Sequence, residues 1–380
     1  MTCRESAEVG MIRTRTGTFL QWSGETFLHR RGNHGRDRRR AGVRWPLMNA
    51  PRPITLQDVA RAAGVSTTTV SDALSGRGRL PAATRERVAA VARDLGYVAN
   101  RSARNLRRGR TGAIGLYFPG RTIGLEYYMH LAIGAAEEAL AHDLALTLIP
   151  ATKDPGRAPS LHLDGVVVSD PVLGDPMLET LTGLRVPIVT CERDLTPGAR
   201  HAGRVESDHA AATRTLLGHL SRHGGQIAML CPGEETAFGL DIRTAYQRWC
   251  AETGRTPLVY DVPLVCEPQD VSRAVAEALR APGGVEAIVS VPDGGANSAV
   301  QAAFQQGRHV PGDLRVASYV DSPSLRGLAT PITAIDIAPR EMGRRAARML
   351  ADLLTGAVAP GAVEVLPTRL MVRASTSPAG

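Results

Sequence analysis

ITLQDVARAAGVSTTTVSDALSGRGRLPAATRERVAAVARDLGYVANRSARNLRRGRT, residues 54–111, decides how the rest of the chain is read. Thr55 is a good helix N-cap, and Asp58 three residues on makes an acidic capping box. Leu56, Val59, Ala60 and Ala63 recur at helical spacing until Gly64 breaks the helix, and Val65 packs the turn. Ser66 caps a second helix, Thr67 to about Leu74, with Val70 and Leu74 facing inward. Two short helices joined by a tight glycine turn form a helix-turn-helix, whose second helix offers its first turn to DNA base edges. Here that turn is Thr67, Thr68, Thr69, whose hydroxyls and methyls suit base edges, phosphate or a thymine methyl. A third helix is expected from about Ala82 to Leu95, stopped by Gly96, with Val88, Val91, Ala92 and Leu95 on its buried face. The arginines at 77, 79, 85, 87, 101, 104, 107, 108 and 110 have few acidic neighbours, as a phosphate-facing surface requires. A helical bundle without a DNA role is the competing reading.

Four motifs carry a more specific resemblance: LQDVARAAGVSTTTVS, TRERVAAVARDLGY, NRSARNLR and RTGAIGL. Together they resemble, almost without gaps from Ile54 to Gly115, the headpiece of the lactose-repressor/galactose-repressor family of bacterial transcription regulators. The resemblance implies DNA contacts from Leu56, Ser66, Thr67, Thr68, Thr69, Ser71, Asp72, Ser75 and Arg79. It also implies a hinge helix in which Asn100, Ala103, Arg104 and Leu106 meet the minor groove, Leu106 as the apolar wedge. Two positions depart from the family pattern. Asp72 stands where an arginine commonly reads guanine; a carboxylate accepts from cytosine N4 instead, or pairs with a neighbouring arginine. Pro81 replaces a serine cap, which a helix start tolerates.

The charge is unevenly spread. Residues 1–48 carry ten arginines against four acidic residues and 49–111 carry twelve against four, so a net +8 leaves about −6 for the remainder. A basic reader tethered to a mildly acidic sensor fits that asymmetry. The five cysteines (Cys3, Cys191, Cys231, Cys250 and Cys266) lack ligand spacing, favouring a reducing cytoplasm with neither disulfides nor zinc. No apolar run approaches the roughly 18 residues a membrane span needs, and no membrane partner is expected.

Residues 1–50 show no helical or strand periodicity and contain an arginine-rich run at 36–40, so a disordered basic extension is expected. Met48, just ahead of the headpiece, offers an alternative start. Residues 51–98 then make the headpiece, 99–111 the hinge, and 112–380 an effector-binding and dimerisation domain. In the last, apolar runs at 113–118, 144–150, 164–170, 186–192, 226–232, 285–291 and 314–320 alternate with helical stretches at 128–141, 208–222, 240–253, 271–281, 295–306 and 340–355. Leu131, Ala135, Ala139 and Leu140 mark the inward face of the first helix. Parallel sheets covered on both faces read this way. The family resemblance extends loosely to about Thr376. It implies a periplasmic-binding-protein-like, Rossmann-like α/β domain of two lobes, about 112–206 plus 337–364 and 207–335 plus 365–376. A homodimer on a pseudo-palindromic double-stranded operator is implied too, with hydrophobic patches of the first lobe at the dimer interface.

A small, sugar-like effector is expected at the carboxyl ends of the strands. Candidates are Asp170, Glu192, Asp293 and Asp321 at strand ends, Arg243, and the aromatics Phe118, Tyr127 and Tyr128. For each, a helix cap or surface ion pair is the competing reading. Arg243 stands one residue out of the family's register, and Pro292 and Val320 replace polar neighbours found in the family. GxSxG, Walker A, HExxH and strand-linked GxGxxG motifs are absent, so no enzyme and no cofactor is expected. His219 and His223 are four apart, but the solvated end of a helix is favoured over a metal site. A transport-type binding protein with the same two lobes is the alternative function; it would need a signal peptide and no headpiece.

Overall fold

The computed structural model describes residues 10–13, 19–22, 52, 54–76, 79–97, 109–120, 126–152, 154–222 and 224–377. They belong to two compact units, Met1–Val98 and Ala99–Gly380.

The first unit contains β1 (Gly10–Arg13) paired antiparallel with β2 (Phe19–Trp22). This ladder corrects the expectation of no strand periodicity before residue 50. Its four-residue strands carry Ile12, Phe19 and Trp22, good strand formers, in a stretch too short for a repeat to show. Three helices follow: α1 (Leu56–Ala63), α2 (Thr67–Ser75) and α3 (Ala82–Asp94). They close on a small core of Val59, Ala60, Ala63, Val70, Ala73, Val88 and Ala92. Leu74 and Leu95, expected inside, are 38% and 37% exposed. The core closes over Ala73 before it reaches Leu74, and Leu95 is already the C-cap of α3.

The second unit runs β3 (Ala113–Tyr117), α4 (Glu126–Ala141), β4 (Ala145–Ile149), β5 (Gly165–Ser169), α5 (Pro176–Gly183), β6 (Ile188–Cys191), β7 (Gly203–Ser207), α6 (His209–Ser221), β8 (Gln226–Cys231), α7 (Ala237–Thr253), β9 (Leu258–Asp261), α8 (Pro268–Ala278), β10 (Val285–Ser290), α9 (Gly295–Gln305), β11 (Arg315–Ser318), α10 (Pro323–Arg326), β12 (Thr333–Asp336), α11 (Pro339–Thr355), β13 (Ala362–Leu366) and β14 (Arg369–Met371). These strands form two six-stranded sheets, β13-β7-β6-β5-β3-β4 and β14-β12-β11-β10-β8-β9. Every pairing is parallel except β12 with β14. The lobes thus repeat one strand order, and the chain passes between them after β7, β12 and β13. Five of these strands, β7, β9, β12, β13 and β14, lie outside the seven apolar runs of the sequence. They have three to five residues, and several are half-exposed with interleaved polar residues, as in Gly203–Ser207.

In lobe 1, α4 packs against α11 by close backbone approach. A Cβ at Gly134 would run into the Arg340 carbonyl, and one at Gly343 into that of Leu131. Beside the contact, Glu138 is buried against Arg348 at 2.8 Å, and Glu137 pairs with Arg340 and Arg344. Leu131, Ala135 and Ala139 face inward as expected, but Leu140 is 67% exposed. It follows Ala139 by about 100° around the helix, which takes it off that face. With Met129 and Ile133 it forms an exposed apolar stripe. Lobe 1 also anchors the chain arriving from residue 109. Asp164 accepts the Thr111 and Gly112 amides at 2.7 and 2.8 Å, and Arg110 donates to the Leu354 carbonyl.

Candidate functional site

In the first unit, the sequence builds an exposed helix N-terminus. Thr55 and Asp58 cap α1 reciprocally: the Thr55 amide donates to Asp58 at 2.9 Å, and the Asp58 amide to the Thr55 hydroxyl at 3.4 Å. The Thr55 hydroxyl, donating to the Asp58 carboxylate at 2.6 Å, and then the Thr55 amide, with Arg52 beside them, hold Asp58 down to about 2. Gly64 takes φ 65°, which only glycine adopts without strain, and turns the chain into α2. There the Ser66 hydroxyl accepts the Thr69 amide at 3.0 Å. Substitution of such a cap by alanine costs about 1 kcal/mol. The result leaves Ser66, Thr67 and Thr68 exposed, Thr69 half-buried, and Ser71 and Asp72 half-buried one turn on. Leu56 is half-buried at the start of α1, Ser75 is the last residue of α2, and Arg79 is exposed beyond it. Asn100, Ala103, Arg104 and Leu106 lie outside the described residues.

In the second unit, the strand ends of the two lobes face each other across a small cavity of about 20 Å³, room for about one water as the lobes stand. It is lined by Tyr127, Tyr128, Asp170, Phe238, Leu264, Asp293, Val320 and Ile337. Four of the eight candidates therefore meet here: Tyr127, Tyr128, Asp170 and Asp293. Phe118 stands behind them, its ring edge-on to Tyr128 at 5.3 Å. Glu192 is buried behind Asp170; it accepts the Ser207 amide at 3.1 Å and lies 3.3 Å from His209 Nε2. That distance suits an ion pair, but the atoms are not aligned for a hydrogen bond. Burial would lower His209, yet the charges of Glu192, Asp241 and Asp170 more than reverse it, and its pKa is raised.

Asp170 has the most perturbed carboxyl. Burial and then the Glu192 charge push it up to about 7, against hydrogen bonds from Tyr128 and Ser169. Burial also raises Asp293, whose Oδ2 accepts the Tyr127 amide at 3.1 Å across the cleft. Further contacts join the lobes at the rim. Val172 bridges Thr236, the Leu173 amide donates to the Glu235 carbonyl at 2.9 Å, Ser324 donates to Glu126 at 2.9 Å, and Arg193 pairs with Asp241.

Two candidates are turned elsewhere. Asp321 is clamped by both Arg373 nitrogens at 2.7 and 2.9 Å and by Arg326 at 2.8 Å. Burial alone would raise it, but these guanidinium bonds hold it below the usual carboxylate range. Arg243 faces a neighbouring open cavity, where it donates to Asp261 and to the Pro232 carbonyl. Phe238, Leu264, Val320 and Ile337 were not among the candidates. Val320 and Ile337 follow β11 and β12, so the strand-end rule could have found them; Phe238 and Leu264 carry no local signature. His219, read as a solvated helix end, instead holds the Thr376 hydroxyl at 2.8 Å. His223 lies outside the described residues. Among the described residues, no cluster of three or more His, Cys, Asp or Glu could hold a metal, and no helix is long and apolar enough to cross a membrane.

Comparison with known proteins gives this geometry a lineage. Residues 55–100 match the bacterial regulatory proteins of the lacI family, and residues 217–376 match the periplasmic binding protein-like domain. The HTH-type transcriptional regulator AglR of Rhizobium meliloti is 30% identical over 349 residues, 86% of this chain and 95% of its own. CelR of Thermobifida fusca, also an HTH-type transcriptional regulator, is 28% identical over 342 residues, 86% of this chain and all of its own. A CelR–cellobiose complex superposes with a TM-score of 0.65 at 26% identity, covering 85% of this chain and 99% of that one. The Lac repressor dimer bound to operator and the anti-inducer ONPF matches the fold with a TM-score of 0.69 at 22% identity, covering 86% and 99%. With a helix-turn-helix headpiece and a two-lobed periplasmic-binding-protein-like domain on one chain, the protein belongs to the lacI family of bacterial transcription regulators.

Proposed function

We propose that this regulator is a cytoplasmic, homodimeric repressor whose operator affinity is set by a small sugar-like molecule held between the lobes. The observation that carries this reading is the pairing, on one chain, of an exposed recognition-helix N-terminus with an aromatic-lined cleft between two lobes. Thr67, Thr68, Thr69, Ser71 and Asp72 read the major groove, with Leu56, Ser66, Ser75 and Arg79 beside them. Asn100, Ala103, Arg104 and Leu106 enter the minor groove as a hinge helix. Tyr127, Tyr128, Asp170 and Asp293 hold the effector, with Phe118 and Glu192 supporting them. The apolar stripe of Met129, Ile133 and Leu140 on α4, with the exposed Leu148 on β4, suits the dimer interface. That CelR has been captured with cellobiose supports a saccharide effector, and relatives that regulate transcription support a role without catalysis. Effector-dependent closure of the lobes biases the dimer between two arrangements of its hinge helices; such couplings amount to about 1–3 kcal/mol.

The test is selection of bound genomic fragments at fixed salt, followed by release with a saccharide panel. A short palindrome with a flexible central step, whose complex responds to a saccharide, is the expected result. Leu106→Ala should then weaken that complex by a few kcal/mol while leaving the fold unchanged. Recovery of no motif overturns the reading, as does a motif whose affinity no saccharide changes.

A further inference from the structure

The inner cavity is lined by carboxyl groups that no cation of its own described lining neutralises. Its described polar lining consists of two carboxylates, Asp170 and Asp293, and the phenols of Tyr127 and Tyr128. Asp170 is met by the Ser169 hydroxyl at 3.0 Å and by the Tyr128 phenol, neither of them charged. Glu192, buried just behind, adds a third carboxylate, and the imidazole of His209 lies against Glu192 and reaches Asp170 only as a smaller charge effect. The guanidinium groups that could serve are engaged outside the cavity: Arg193 on Asp241, Arg243 on Asp261, Arg373 on Asp321. No arginine, lysine or histidine is among the described lining residues. A desolvated carboxylate without a cation is costly, and hydroxyl donors relieve that cost only in part.

We propose that the ligand of this cleft carries a protonated amine, as an amino-bearing sugar or polyol does, with its ammonium taken by Asp170 and Asp293 beside the rings of Tyr127 and Tyr128. The inference rests on the effector reading and narrows it. Charge-assisted hydrogen bonds to two carboxylates exceed those from neutral hydroxyls, and aromatic rings add cation–π attraction. The raised pKa of Asp170 is consistent with a carboxyl that awaits a cation. The same field disfavours uronates and sugar phosphates, whose negative charge would face Asp170 and Asp293, with Glu192 buried behind.

Titration calorimetry on the full chain with D-glucosamine, D-glucose, D-glucuronate, chitosan disaccharide and cellobiose tests this. The amine-bearing member of each set should bind more tightly than its neutral counterpart by about tenfold or more, and glucuronate should not bind. Asp170→Asn and Asp293→Asn should each shrink the amine preference, with circular dichroism confirming the fold. Equal or tighter binding of glucose or cellobiose overturns the inference and keeps the effector reading. An amine preference that survives both variants overturns the assignment to these carboxylates. Binding of none of the five overturns both.

Discussion

The two lobes follow one strand order, yet two of their strand-end carboxylates, Asp321 and Asp170, are treated in opposite ways. In lobe 2, Asp321 follows β11 and is locked by Arg373 and Arg326, so its charge is spent on holding the C-terminal segment against the sheet. In lobe 1, Asp170 follows β5 and is buried, but its carboxyl meets only hydroxyl groups. Topology puts an acid just beyond a strand end in both cases. Whether that acid is available to a ligand depends on whether a guanidinium from a distant segment reaches it first.

The largest expected effect tests the structural half of this contrast. Arg326→Ala and Arg373→Ala together remove both guanidinium partners of the Asp321 carboxylate and should cost about 3 kcal/mol or more, read as a lowered urea midpoint. A loss within error would mean that Asp321 is no anchor. Asp170→Asn should act in the opposite direction. Because the folded carboxyl has a pKa near 7, above its unfolded value, the native state favours the proton. Stability therefore falls as pH rises from about 4 to about 7 and the penalty is complete above that. The asparagine variant should gain a few kcal/mol at pH 8 and little near pH 4; a loss at pH 8 would break the contrast.

Asp321 carries the reverse sign. Its folded pKa is depressed, so its stabilisation is present above the unfolded value near 4 and disappears as pH falls through the folded one. Denaturation curves of Asp321→Asn should accordingly lose part of the acid-induced decline seen in the parent. The smallest effect is expected at the rim. Arg193 and Asp241 are both substantially exposed, so Arg193→Ala should change stability by less than about 1 kcal/mol, measured by thermal melting. A larger loss would make the rim pair as structural as the Asp321 clamp.

These contrasts also show where sequence reading succeeds. The headpiece is legible because its signals are local: Thr55 with Asp58, Ser66 with Thr69, Gly64 between two helices. The errors there, Leu74 and Leu95, arise because periodicity gives the direction of a face but not where packing ends. The strand-end rule brought Tyr127, Tyr128, Asp170 and Asp293 to one cavity. It misplaced Asp321 and Arg243 because their partners, Arg373 and Asp261, lie 52 and 18 residues away in sequence. His219 was misread for the same reason, since Thr376 is 157 residues on. Phe238 and Leu264 were missed because being apolar on a helix start or a loop distinguishes neither from core.

The reciprocal glycines at 134 and 343 have a mechanical consequence. Two helices whose backbones touch, flanked by the Glu137 and Glu138 ion pairs, bend less than either would alone. Tyr127 and Tyr128 stand on the first turn of one helix, and Leu354, which receives Arg110, on the last turn of the other. On the proposed effector reading, the pair would act as a lever of fixed length, loaded at the rings and coupled at its far member to the linker. Such a lever would depend on backbone contact at Gly134 and Gly343, and not on which side chains line the cavity.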